Sequence, residues 1–134
     1  MVELLQGKIQ SFYKSKNILI TGASGYIAWN LINKLSEIDC SIRCLTRKSN
    51  NHQFSYKAKD NRKANIKIIS GSYADKRIWK KCLKNIDIVF HLAAQTSFYK
   101  SEDDPVEDFK SNVYPMQLLL EAARKSKSSP YVVF

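Results

Sequence analysis

Residues 22–28, Gly22-Ala-Ser-Gly25-Tyr-Ile-Ala28, are the part of this chain whose types and spacing can do chemistry. They follow the β-branched run Asn17-Ile-Leu-Ile-Thr21, which reads as a buried strand. They lead into Ile27, Leu31, Leu35 and Ile38, whose three- and four-residue steps predict a helix over 26–38. In this G-x-x-G-x-x-G/A spacing each small residue has a mechanical reason. Gly22 lets the chain leave the strand sharply, and Gly25 offers no Cβ to obstruct a pyrophosphate approaching the backbone. Ala28 is small enough for helix and strand to pack closely, and Ser24 lies in the same turn. The free N–H groups of the helix, with the positive end of its dipole behind them, then face the phosphates. The plainer alternative is a glycine turn that merely joins strand to helix. No Gly-Lys-Ser/Thr ending follows, so an ATP-type phosphate loop is not supported.

The tip of the next strand, predicted over 41–46, chooses between cofactors. A carboxylate there accepts hydrogen bonds from the ribose hydroxyls of NAD. Here the tip reads Leu45-Thr46-Arg47-Lys48, with two cations and a hydroxyl and no acid. Thr46 and Arg47 suit the additional 2′-phosphate of NADP, so NADP is preferred and NAD is second. The alternative is that Arg47 and Lys48 simply begin a basic loop.

The unusual charge lies in and around that loop. Twenty-two basic and twelve acidic residues give a net charge of +10, and the stretch from Arg43 to Lys84 alone carries thirteen Lys/Arg against two acids. A nucleic-acid partner is one reading of such an excess, but neither a recognition helix nor a stacking platform accompanies it. A phosphorylated cofactor, a nucleotide-linked substrate or a solvated lysine-rich surface explains it equally well. Three cysteines without paired spacing fit a reducing compartment rather than a disulfide framework. No apolar run reaches the roughly 18 residues of a membrane span, and the N-terminus lacks the order of a secretory signal. A cytoplasmic protein without membrane or nucleic-acid partners is expected.

Positioning the glycine turn takes the rest of the chain. Residues 1–16 read as an amphipathic helical lead-in, with Val2, Leu5, Ile9 and Phe12 at helical spacing and Gly7 against it. A single domain over 17–134 follows. After the basic, aperiodic loop from Arg47 to Asn65, Ile66–Ser70 is a third strand closed by Gly71, and Asp75 can cap a short helix. Residues 87–94 are a fourth, most apolar strand. Asp104-Pro105, with Glu107 following, starts a helix reaching about Lys125, in which Pro115 is expected to make a kink or a split. Tyr131-Val-Val-Phe134 opens a fifth strand. Strands alternating with helices, most strands apolar on both faces, predict an α/β fold: a doubly wound parallel sheet of about five strands in the order 3-2-1-4-5.

Taken together, Thr21-Gly-Ala-Ser-Gly-Tyr-Ile-Ala28, His91-Leu-Ala-Ala94, and Asp104-Pro105 leading to Asn112-Val113 and Leu119-Leu-Glu-Ala-Ala123 resemble the extended short-chain dehydrogenase/reductase family, in its NAD-dependent epimerase/dehydratase group. The resemblance covers about residues 17–134 and implies a Rossmann-type domain. It implies that Gly22, Ser24, Gly25 and Ala28 belong to the phosphate-binding turn, and that the backbone N–H groups of Tyr26 and Ile27 point at the cofactor. It places Leu92, Ala93 and Ala94 along the ribose and nicotinamide side. Asn112 matches an asparagine that helps to position the catalytic lysine through water. It further implies nucleotide-linked sugars as substrates of a full-length form, and a homodimer built through the 105–125 helix.

Two departures stand out. Ser72 occupies the place after the third-strand glycine where the family often carries an acid near the adenine. No tyrosine in the chain is followed four residues later by lysine, so the family's Tyr-x-x-x-Lys pair is not among these residues. The domain is therefore expected to be truncated: cofactor-binding, and inactive by itself. The competing reading is a non-catalytic dinucleotide-binding or redox-sensing protein, or an inactive relic. His91, inside an apolar strand, reads as structural and His52 as solvated. Cys40 and Cys44 lack the converging partners of a zinc site, so no metal is expected.

Overall fold

The centre of the run Asn17–Thr21, Ile18-Leu19-Ile20, is apolar on consecutive positions because both of its faces are covered. The structure, a computed structural model, describes residues 2–47 and 63–134; Lys48, His52 and most of the basic loop lie outside them. The element order is α1 (Val2–Tyr13), β1 (Asn17–Thr21), α2 (Tyr26–Leu35), β2 (Ser41–Thr46), β3 (Asn65–Ser70), α3 (Lys76–Cys82), β4 (Ile88–His91), α4 (Phe98–Asp103), α5 (Pro105–Arg124) and β5 (Tyr131–Val133). The five strands form one sheet in the order β3-β2-β1-β4-β5, and every pairing is parallel. This is the Rossmann-type doubly wound α/β arrangement that the alternation of strands and helices implies.

Period-two alternation sends β1 into two cores. Ile18 and Ile20 join Ile42, Cys44 and the α2 residues Ala28, Ile32 and Leu35 on one side of the sheet. Leu19 joins Leu45, Val89, Trp79 and Cys82 with Leu119 and Ala123 of α5 on the other. Ile18, Leu19 and Ile20 are wholly buried, which removes roughly 1.5–3 kcal/mol of apolar surface per side chain from water. The start of the sheet is pinned by Asp87, whose Oδ2 accepts from the Asn17 N–H at 2.7 Å and whose carbonyl accepts from the Tyr131 N–H at 3.0 Å.

Several element ends differ from the sequence expectation. The second helix stops at Leu35, not Ile38, with Ser36 as its C-cap and the Ser36 hydroxyl donating to the Asn33 carbonyl. The fourth strand is Ile88–His91, and Leu92, Ala93 and Ala94 leave the sheet as loop. The reason is that the Ala93 N–H donates to the Thr21 hydroxyl at 3.2 Å, which takes it out of the ladder. A six-residue helix, α4, follows where none was anticipated. Pro115 does not split α5, which runs through it as one twenty-residue helix with Pro115 buried. The N-cap of α5 is the expected one, with the Asp104 Oδ1 accepting from the Glu107 N–H at 2.9 Å. Among the described residues no helix is long and apolar enough to cross a membrane.

Candidate functional site

The strand order reverses between β1 and β4, so the connections from their carboxyl ends run to opposite faces and leave a crevice there. A cleft of about 1120 Å³ opens at this edge. Of the residues singled out from the sequence, Gly22, Ser24, Gly25, Thr46, Arg47, Leu92, Ala93 and Ala94 line it. The tips of β1, β2 and β4 thus bring together segments far apart in the chain, from Gly22 to Ala94.

The glycine turn is shaped by contact with the loop after β4. Gly22 has φ +66°, and a Cβ on it would lie 2.8 Å from both the Ala93 N and the Leu92 O. Only glycine combines that left-handed backbone with so close an approach. Gly25 then caps α2 with its backbone alone: no side chain caps the helix, and its first turn holds no acidic residue. The first-turn N–H groups of α2 have no carbonyl partners within the helix, and no carboxylate of that turn competes with an incoming anion. A Cβ on Gly25 would sit 3.1 Å from the Gly22 O and partly fill the cradle. The donors, the dipole and the missing side chains fit a diphosphate.

Tyr26 and Ile27 are not among the residues that line the cleft and are 83% and 69% exposed. Asn112 does not line it either. Its side-chain oxygen accepts from the Gln95 N–H at 2.7 Å, while its amide donates to the Gln95 carbonyl at 3.0 Å and to Asp108 Oδ1 at 3.0 Å. Asn112 therefore clasps the loop after β4 onto α5. Thr21, which also accepts from Ala93, lies 2.9 Å from the His91 Nδ1. His91 is buried beside Trp79, and burial holds its imidazole pKa below the ordinary value.

Sequence reasoning missed Tyr73, which lines the cleft beside Ser72. The Arg47 guanidinium sits over its ring, 5.9 Å from the centroid. Burial pushes the Tyr73 phenol above its ordinary value, with the Gly22 backbone and the Arg47 guanidinium opposing the rise. One signal could have revealed Tyr73: it lies just past Gly71, at the carboxyl end of a strand, the edge at which such sheets bind ligands. The three cysteines are unbridged and buried, and no cluster of three or more metal-ligating side chains occurs among the described residues.

Comparison with known proteins bears on the same residues. The sequence profile of the NAD dependent epimerase/dehydratase family matches residues 18–134. A trifunctional UDP-glucose 4,6-dehydratase/UDP-4-keto-6-deoxy-D-glucose 3,5-epimerase/UDP-4-keto-L-rhamnose-reductase of Arabidopsis thaliana is 34% identical over 123 residues, covering 84% of this chain and 17% of that enzyme. The dTDP-D-glucose 4,6-dehydratase of Homo sapiens is 30% identical over 122 residues, covering 88% of this chain and 35% of that enzyme. Among solved structures, Pen from Bacillus thuringiensis superposes with a TM-score of 0.73 at 31% identity, over 84% of this chain and 34% of that one. The chain spans 17% to 35% of the lengths of these relatives.

Proposed function

The chain belongs to the NAD dependent epimerase/dehydratase family, and from that premise we propose that its cleft is the dinucleotide site of a nucleotide-sugar epimerase/dehydratase-type oxidoreductase. The observation that carries the reading is the Gly22–Gly25 cradle at the N-terminus of α2, which no side chain caps, set where the strand order reverses. A nicotinamide dinucleotide, when bound, supplies hydride transfer. The chain's own residues bind and orient it: the α2 amides take the diphosphate, and Leu92, Ala93 and Ala94 form an apolar wall beside it. Asn112 keeps that wall in place through Gln95. The sugar-nucleotide substrate is inferred from the UDP- and dTDP-sugar enzymes that the chain resembles.

Arg47 at the tip of β2 supports a preference for NADPH over NADH, since a guanidinium offers charge and paired N–H donors to a 2′-phosphate. The Tyr-x-x-x-Lys pair is not among these 134 residues, so in this reading they bind cofactor without turning over substrate. The exposed stripe Val106, Val113 and Leu120 along α5 supports pairing of two copies through that helix. A cytoplasmic setting agrees with three unbridged cysteines.

Calorimetric titration of the chain with NADPH and NADH tests the cofactor assignment. NADPH is expected to bind more tightly, and Arg47→Asp to narrow or reverse the gap. Equal affinities for the two dinucleotides would remove the role given to Arg47. Binding of neither would remove the site.

A further inference from the structure

We propose that Tyr73 is a specificity-determining residue: its ring fixes where the Arg47 charge stands, and so sets the preference for a 2′-phosphorylated dinucleotide. The inference rests on the reading of the cleft as a dinucleotide site and deepens it. Two features hold Tyr73 before any ligand arrives. The indole N–H of Trp79, a side chain with no exposed surface, donates to the Tyr73 carbonyl at 2.8 Å. The Tyr73 ring in turn packs against the apolar cluster around Trp79, under the α5 side of the sheet. Tyr73 is thus anchored to the core, while Arg47 is an exposed, rotamer-rich side chain at a strand tip.

Stacking on the ring uses the flat face of a guanidinium and leaves its edge, with the paired N–H donors, free to meet a phosphate. The Arg47 guanidinium lies over the Tyr73 ring, 5.9 Å from its centroid, within the reach of such a contact. An arginine restrained in this way loses less freedom on binding than a mobile one. The ring also shares the cleft with the glycine turn, since Tyr73, Gly22 and Gly25 all line it. The distance from the diphosphate cradle to the Arg47 charge is thereby set by one side chain.

The test is a double-mutant cycle on the chain, with NADPH and NADH affinities measured for wild type, Tyr73→Leu, Arg47→Gln and the double variant. Tyr73→Leu is expected to lower the NADPH-to-NADH affinity ratio about two- to fivefold, the worth of an exposed cation–π contact. In the Arg47→Gln background it is expected to lower the ratio no further. Tyr73→Phe, which keeps the ring, is expected to hold the wild-type ratio. If Tyr73→Leu does not fold, Tyr73→Met fills the space against the Trp79 cluster without a ring and takes its place. Weakening of both dinucleotides by the same factor, or an equal drop in ratio in both backgrounds, would overturn the proposal while leaving the dinucleotide site intact. A wild-type chain that binds neither dinucleotide would overturn the site reading, and this inference with it.

Discussion

Replacing Gly22 with alanine separates the two reasons for a glycine there from a mere sequence habit. The backbone at Gly22 has φ +66°, and an L-residue held in that region costs about 1–2 kcal/mol. The new Cβ would also stand 2.8 Å from the Ala93 N and the Leu92 O and 2.9 Å from the Ala93 Cα, all of them backbone atoms that cannot rotate away. Relief requires the loop after β4 to retreat by roughly half an ångström to reach ordinary contact. That movement stretches the Ala93–Thr21 hydrogen bond, already 3.2 Å long, and its loss costs about 0.5–1.5 kcal/mol. Together the terms give about 1.5–3.5 kcal/mol. At this chain length that lowers Tm by about 10 °C. The assay is thermal unfolding followed by circular dichroism, paired with calorimetry of NADPH binding, which is expected to weaken as the cradle loses its shape. Gly7→Ala is the control: a Cβ there meets nothing within 4 Å in the middle of α1. It is expected to leave Tm unchanged or raise it slightly. A Gly22→Ala protein melting within about 2 °C of wild type, with unaltered dinucleotide affinity, would refute the geometric account of the turn.

Three further outcomes are expected. Asp104→Ala removes the cap on the Glu107 N–H and is expected to lower stability by about 1 kcal/mol, with Asp104→Asn recovering most of it; urea melts compare the three. His91 has a pKa below its ordinary 6.5 because it is buried. The unfolded chain therefore binds more protons than the folded one once pH drops to that value, and stability present above it is lost on acidification, by at most about 1.4 kcal/mol per pH unit. Urea midpoints at pH 7.5 and 5.5 should diverge in wild type and converge in His91→Asn; an equal slope in both would remove His91 as the cause. If α5 pairs two copies, light scattering gives twice the 15.4 kDa chain mass, and lysine at Val113 and Leu120 returns the single value; a wild-type monomer would end that reading.

What the amino-acid sequence determined by itself is the local grammar. A β-branched run, two glycines three apart and an apolar three-four repeat specify strand, turn and helix over 17–35, because each signal acts within a few residues. Asp104-Pro105 announces its helix in the same way, and the structure shows the cap where the pattern puts it. Alternation of such units, with right-handed crossovers, was enough for the strand order. What only the tertiary structure decided depends on partners far apart in the chain. The fourth strand ends at His91 because Ala93 turns to Thr21, 72 residues away. Asn112 is committed to Gln95, 17 residues away, and is not among the residues that line the cleft. Pro115 leaves α5 a single helix, buried against the fold. Tyr73 becomes part of the site only when Trp79 anchors its carbonyl and Arg47 comes across from the neighbouring strand tip. Periodicity and turn chemistry report what the backbone prefers locally; which side chains meet at the ends of a parallel sheet is settled by register and crossing loops, and no short window of residues contains either.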